Sequence, residues 1–193
     1  MFNDLSSTAT LLATRRSAKP RDMVAPGPDS AQLRQILEVA MRVPDHGKLN
    51  PWRFVIIEGD RRRAFADLLQ DAYRAEKPDA GRIELEAMDQ FAHQAPVLVA
   101  VLSTPAANSK IPRWEQQLSA GAACMNLLMA THAAGFVGCW LTGWAAYDAQ
   151  VLESLGGAPQ DRIAGFLFLG SPSRPLEERP RPTYEAVVST WKG

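Results

Sequence analysis

The segment Arg42 to Phe54, R-V-P-D-H-G-K-L-N-P-W-R-F, constrains this chain most, because it is lodged between two strong and opposite periodicities. Before it, Leu33, Ile36, Leu37, Ala40 and Met41 recur at helical spacing, with Asp29 or Ser30 as N-cap. After it, Trp52 to Glu58 reads as a buried strand centred on Val55, Ile56 and Ile57. Pro44 and Pro51 bias the residues before them away from helix, and Gly47 permits backbone angles that other residues resist. Asp45, His46, Gly47, Lys48, Leu49 and Asn50 are therefore held extended or turned between two buried elements. Polar loops on rigid supports are where binding groups concentrate. From these residues alone, an ordinary polar connection accounts for the loop equally well.

The 193 residues fit one domain, residues 1–193, with a core of useful size. Lys plus Arg and Asp plus Glu are both 21, giving zero net charge. That balance argues against a dedicated nucleic-acid or anionic-membrane partner, which would show a basic stripe or arm. The apolar runs V-L-V-A-V-L and F-L-F-L are too short to span a bilayer, and the N-terminus has no charged lead followed by an apolar core. A cytoplasmic protein is expected. Cys124 and Cys139 are too few and too isolated for a zinc site or a disulfide framework. No metal site is expected, and no P-loop, nucleophile elbow or Rossmann fingerprint is present.

In chain order, Asn3 to Thr14 can form a first helix capped by Ser6 or Ser7, running into Arg15, Arg16 and Ser17. Two guanidiniums and a hydroxyl suit a phosphate; cations closing a helix are an equally ordinary ending. Asp60 can cap a third helix that buries Phe65, Leu68, Leu69, Ala72 and Tyr73. A further helix over Ile83 to Phe91 and a strand over Val97 to Leu102 follow. The longest helix runs from about Arg113 to Ala134, with small residues Ser119 to Ala123 at its middle and His132 near its end, the latter read first as a core or rim histidine. Next come the glycine-punctuated strand Gly135 to Gly143, a short helix over Asp148 to Leu155 and a buried strand over Ile163 to Leu169. The tail from Ser171 to Pro182 is Pro- and Arg-rich and reads as irregular. Tyr184, Val187, Val188 and Trp191 then make the end apolar again, which suggests a strand added to a partner subunit.

Four stretches, in this order and spacing, resemble the FMN-dependent nitroreductase family: R-R-S-A-K at Arg15 to Lys19, the Arg42 to Phe54 segment, the small-residue helix, and G-F-V-G-C-W-L-T-G at Gly135 to Gly143. The P-D-H of the loop and P-R-W-E-Q-Q-L-S-A-G at Pro112 to Gly121 look most like the YdjA-like branch. The resemblance implies an α+β fold with a mixed, mainly antiparallel sheet flanked by helices, in an intertwined homodimer with FMN at the subunit interface. It implies that Arg15, Arg16 and Ser17 hold the flavin's polar atoms, that Arg42 and His46 reach it from the other subunit, and that Cys139, Trp140 and Leu141 complete the cradle. Met129, Ala130, Thr131, His132, Ala133 and Ala134 match the stretch assigned to NAD(P) in this branch, although a buried helix explains them equally well. Arg181 falls near a tail cation of relatives. The implied activity is reduction of nitroaromatics, quinones or similar small acceptors by NAD(P)H, in a ping-pong cycle through flavin N5. The flavin carries the chemistry, so no protein residue needs to be catalytic. Dehalogenation, fragmentation of flavin or substrate, and a non-catalytic flavin-binding dimer are the alternatives. Asp45, Lys48 and Asn50 depart from the broader family's loop, and Lys19 replaces a common Arg.

Overall fold

Two apolar runs become the buried centre of the molecule. In the computed structural model, which describes residues 1–193, strand β3 (Val97–Ser103) and strand β5 (Arg162–Pro172) pair antiparallel. Leu98 to Leu102 and Phe166 to Leu169 are fully buried, as expected for strands covered on both faces. Strand β2 (Trp52–Ile57) pairs with β3, and the other side of β5 is shared by β1 (Met23–Val24) and β4 (Val137–Leu141). Every pairing within the chain is antiparallel, and β2 and β4 are edges.

Helices cover the two faces. Helices α3 (Arg62–Glu76) and α4 (Arg82–His93) pack with α6 (Ala149–Ser154) on one, around Phe65, Phe166 and Phe168. There Phe91 meets Phe166 and Phe168 edge-on, with ring centroids 5.2 and 5.3 Å apart. Helices α2 (Ser30–Ala40) and α5 (Arg113–Ala133) cover the other, burying Ile36, Val99, Val101, Leu127, Leu128, Leu167 and Leu169. Where α5 crosses β4, a Cβ on Gly138 would lie 2.7 Å from Leu128 Cδ2, so a side chain there would displace the tip of that leucine. No helix is long and apolar enough to cross a membrane.

Several boundaries differ from the sequence reading for local reasons. Helix α1 spans only Thr8–Thr14, capped by Ser7. Asn3 has left-handed backbone and clamps Arg16 instead, accepting from its N–H at 2.8 Å and donating to its carbonyl at 3.2 Å. Asp60 does not cap α3, because Gly59–Arg61 form a 3-10 turn and the helix starts at Arg62 without a side-chain cap. The tail is regular further than its composition indicated: β5 continues through Ser171 and Pro172 to pair with β1, a strand too short to leave a periodic signal. Tyr184–Val187 forms a single helical turn, α7, and the residues after Leu176 are exposed.

Buried Arg62 has no carboxylate partner and serves as a backbone staple. It donates to the carbonyls of Ile57 at 2.8 Å and Ala92 at 2.7 Å, and burial pushes its pKa down to about 10. Removing it leaves buried carbonyls unpaired. Arg62→Ala is expected to cost about 1–3 kcal/mol, read as a lower urea midpoint with an unchanged slope.

Candidate functional site

The Arg15 to Ser17 segment follows α1 and is irregular. Arg15 donates to Ser17 Oγ at 3.2 Å, and Arg16 donates to the Glu177 carbonyl at 2.6 Å and the Ser17 carbonyl at 3.1 Å. Neither guanidinium lies within 4.0 Å of a carboxylate. Burial, then the positive charges of Arg181 and Arg16, hold the Arg15 pKa below the ordinary guanidinium value. Arg181 pairs with Glu178 at 3.7 Å, whereas Arg15 and Arg16 have no acid partner and keep donors of the kind that suit a phosphate. The tail is strapped beside them, since Arg174 pairs with buried Asp22 at 3.0 Å and Ser173 donates to the Asp22 carbonyl at 2.9 Å.

Strand β4 and the end of α5 adjoin this segment. Burial raises the Cys139 thiol pKa, opposed by the charge of Arg16. Cys139 and Leu141 pack toward the α3/α4 face. Trp140 turns the other way, toward α5, and donates from Nε1 to the Ala164 carbonyl at 2.9 Å. Of the stretch expected to meet NAD(P), Ala130, Thr131 and His132 are buried, while Ala133 and Ala134 are exposed. Met129 lines a groove with Leu5, Leu11 and Val39. His132 is 1% exposed, donates from Nδ1 to the Phe136 carbonyl at 3.2 Å, and has no partner at Nε2.

The loop between Pro44 and Pro51 is built by its own carboxylate. Asp45 accepts from the Leu49 N–H at 3.1 Å and the Asn50 N–H at 2.8 Å, while Gly47, Lys48 and Asn50 all take left-handed angles. This gives the Asp45 departure a physical role: it holds a turn that would otherwise be strained. Helix α5 anchors the loop from below. Ser119 Oγ donates to the Pro44 carbonyl at 2.7 Å and accepts from Trp52 Nε1 at 3.1 Å, and Asn126 donates to the carbonyls of Val39 and Arg42 at 2.6 and 3.2 Å. The Arg42 side chain is exposed, and His46 Nδ1 lies 2.7 Å from Glu115 Oε2.

The expected contacts thus fall into two groups along one helix. Arg15, Arg16, Cys139 and His132 cluster near the α5 C-terminus, whereas His46 is tied to Glu115 in its first turn. At a rise of 1.5 Å per residue, Glu115 and His132 are ~25 Å apart along the axis. Arg42 lies between, beside Asn126. No hydrogen bond or ion pair joins His46 to the Arg15 cluster within the chain.

With this geometry in hand, comparison with known proteins is decisive, for the model of the nitroreductase family matches residues 12–171. The chain belongs to the nitroreductase family. A relative in Escherichia coli K12, named "Putative NAD(P)H nitroreductase YdjA", is 40% identical over 162 residues, covering 84% of this chain and 86% of the relative. Among solved structures, a nitroreductase-like family protein from Bacillus cereus superposes with a TM-score of 0.81 at 20% identity, covering 97% of both chains. The FMN and NADPH-dependent nitroreductase NfnB from Sphigopyxis sp. strain HMH gives 0.73 at 21% identity, covering 97% of this chain and 99% of that one. In this structure the four motifs lie just after α1, in the Pro44 to Pro51 loop with its flanks, on α5 and along β4.

Glu115, Ser119, Asn126 and Gly165 were not singled out as individual site residues in the sequence, although each touches an expected site residue or, for Ser119, the loop that carries one. Glu115 and Ser119 lie inside the P-R-W-E-Q-Q-L-S-A-G motif, so a signal was present for those two. Asn126 and Gly165 lie outside every motif.

His132 gives the site a pH signature. Burial, with a smaller contribution from the Arg15 charge, pushes its pKa from 6.5 down to about 4, so the folded protein keeps it neutral where the unfolded chain protonates it. Stability is then fully present above pH 6.5 and falls as the pH drops toward 4. The slope can reach about 1.4 kcal/mol per pH unit. His132→Gln is expected to lack this part of the slope in urea denaturation across the window, whatever its stability at neutral pH.

Proposed function

We propose that residues 1–193 form one FMN-binding domain that works as a homodimer and uses NAD(P)H to reduce nitroaromatics, quinones or similar small acceptors. The carrying observation is the pair Arg15 and Arg16, two guanidiniums with no carboxylate, beside a β-strand edge in a nitroreductase fold. Family membership and the name of the YdjA relative support the activity, and the FMN and NADPH dependence stated for NfnB supports the cofactor pair.

When bound, FMN supplies hydride transfer through N5, from NAD(P)H to the acceptor in a ping-pong order. Arg15 and Arg16 hold its phosphate, with Ser17 Oγ fixing the Arg15 fork. Cys139, Trp140 and Leu141 line the ring along the β4 edge. His46 and Arg42 come from the partner, for a reason visible in α5. Trp114, Leu118 and Met125 lie exposed on this long helix, with the smaller Gly121 and Ala122 only half-buried between them. Two copies packed antiparallel on this stripe, about a two-fold axis, bring the first turn of one α5 beside the last turn of the other. The His46 of one subunit then meets the Arg15 cluster of its partner. Tyr184 and Val187, expected in a strand, form the α7 turn instead; the exposed Val188 and Trp191 that follow it suit addition to the free β2 edge of the second subunit, making the dimer intertwined.

The near-ultraviolet and visible absorbance of the purified, desalted protein tests the cofactor directly. A yellow protein that releases FMN in proportion to chains is expected, and anaerobic NAD(P)H should bleach it. A colourless protein that refuses added FMN ends this reading. Arg15→Ala should weaken FMN binding by roughly 1.5 to 3 kcal/mol, about ten- to a hundred-fold; unchanged affinity removes Arg15 from the site. Leu118→Glu should shift sedimentation from dimer to monomer and lower FMN retention with it.

A further inference from the structure

Trp140 is held in place more firmly than its burial requires. The ladder between β3 and β5 slips by one residue, pairing Val101 with Gly165 and Leu102 with Ile163, so Ala164 is left without a partner in register. Such irregularities re-aim side chains next to sites. The Ala164 carbonyl accepts the Trp140 indole N–H at 2.9 Å. Beside it, Gly165 has no space for a side chain: an added Cβ would overlap indole Nε1 and Cδ1 and lie 3.0 Å from the Leu141 carbonyl oxygen. Its φ is outside the left-handed region, so space rather than backbone freedom demands the glycine. At the far end of the indole, a Cβ on Gly121 would stand 4.0 Å from Cη2.

Trp140 nevertheless stays 36% exposed, whereas Leu167 opposite it on β5 is fully buried. An indole anchored at its nitrogen, seated on a glycine and open over a third of its surface is a preformed aromatic plate. Its neighbour in sequence, Cys139, on the opposite face of β4, feels the charge of Arg16, so the strand that carries the plate runs past the cation cluster.

We propose that Gly165 is a positioning residue of the flavin site: by having no side chain, it seats the Trp140 indole as a fixed plate against which the planar isoalloxazine ring packs. This rests on the FMN reading above. Offset packing of two flat aromatic systems is favourable, and a plate already locked in the free protein loses no rotamer freedom when the ring arrives.

The emission of bound FMN tests the proposal without turnover, because an indole in contact with a flavin quenches it by electron transfer. Trp140→Leu and Gly165→Ala should each raise the emission of bound FMN several-fold. The double variant should rise no further than Trp140→Leu alone, since Gly165 acts through the indole. If Gly165→Ala alone does not fold, removing the indole should make room, and the double variant should fold. A double variant that folds no better overturns the role of Gly165. A wild-type protein that binds FMN while Trp140→Leu leaves its emission unchanged overturns the plate but leaves the cofactor reading standing. A wild-type protein that takes up no FMN overturns both.

Discussion

The packing of α5 across the sheet is the constraint on which the rest depends. Gly138 leaves room for Leu128 where the helix crosses β4, and Leu127 and Leu128 bury against Val99, Val101, Leu167 and Leu169. Once seated, the helix carries polar side chains that organise everything above it. Ser119 and Asn126 hold the Pro44 to Pro51 loop, Glu115 holds His46, and His132 sits where Arg15 comes down. One buried helix thereby sets the positions of both groups of expected cofactor contacts, at opposite ends of its length.

Charge is the second organising element. The chain is neutral overall, yet Arg15, Arg16 and Arg181 are gathered without a carboxylate for Arg15, and the pKa of Arg15 is held down by burial and by its neighbours. A fold keeps like charges together at a cost, and an anionic ligand offsets it. Arg62 makes the contrast: it is also buried without an acid, but backbone carbonyls satisfy its guanidinium, so it has nothing left to offer a ligand.

Much of the architecture was legible in the chain. The helix before the Pro44 to Pro51 loop, the strand after it and the long helix appear within a residue or two of the boundaries that periodicity and proline placement implied. Misreadings came where tertiary contacts outweighed local preference. Asn3 would sit in a helix by pattern, but its side chain is taken by the Arg16 backbone. Strand β1 is two residues long and exists only because β5 extends past β4 to meet it.

The sequence by itself carried the resemblance to the family, the order of the longer elements and the residue types expected at the site, because these follow from local periodicity and from motifs carried in register. Only the tertiary structure decided that Asp45 builds the loop from within, that His46 meets Glu115 while Arg15 acts on His132, ~25 Å further along α5, and that Gly165 makes room for Trp140. Those facts depend on residues distant in the chain meeting in space or sharing one helix. Distances and the shape of empty space arise from packing, which no local pattern encodes.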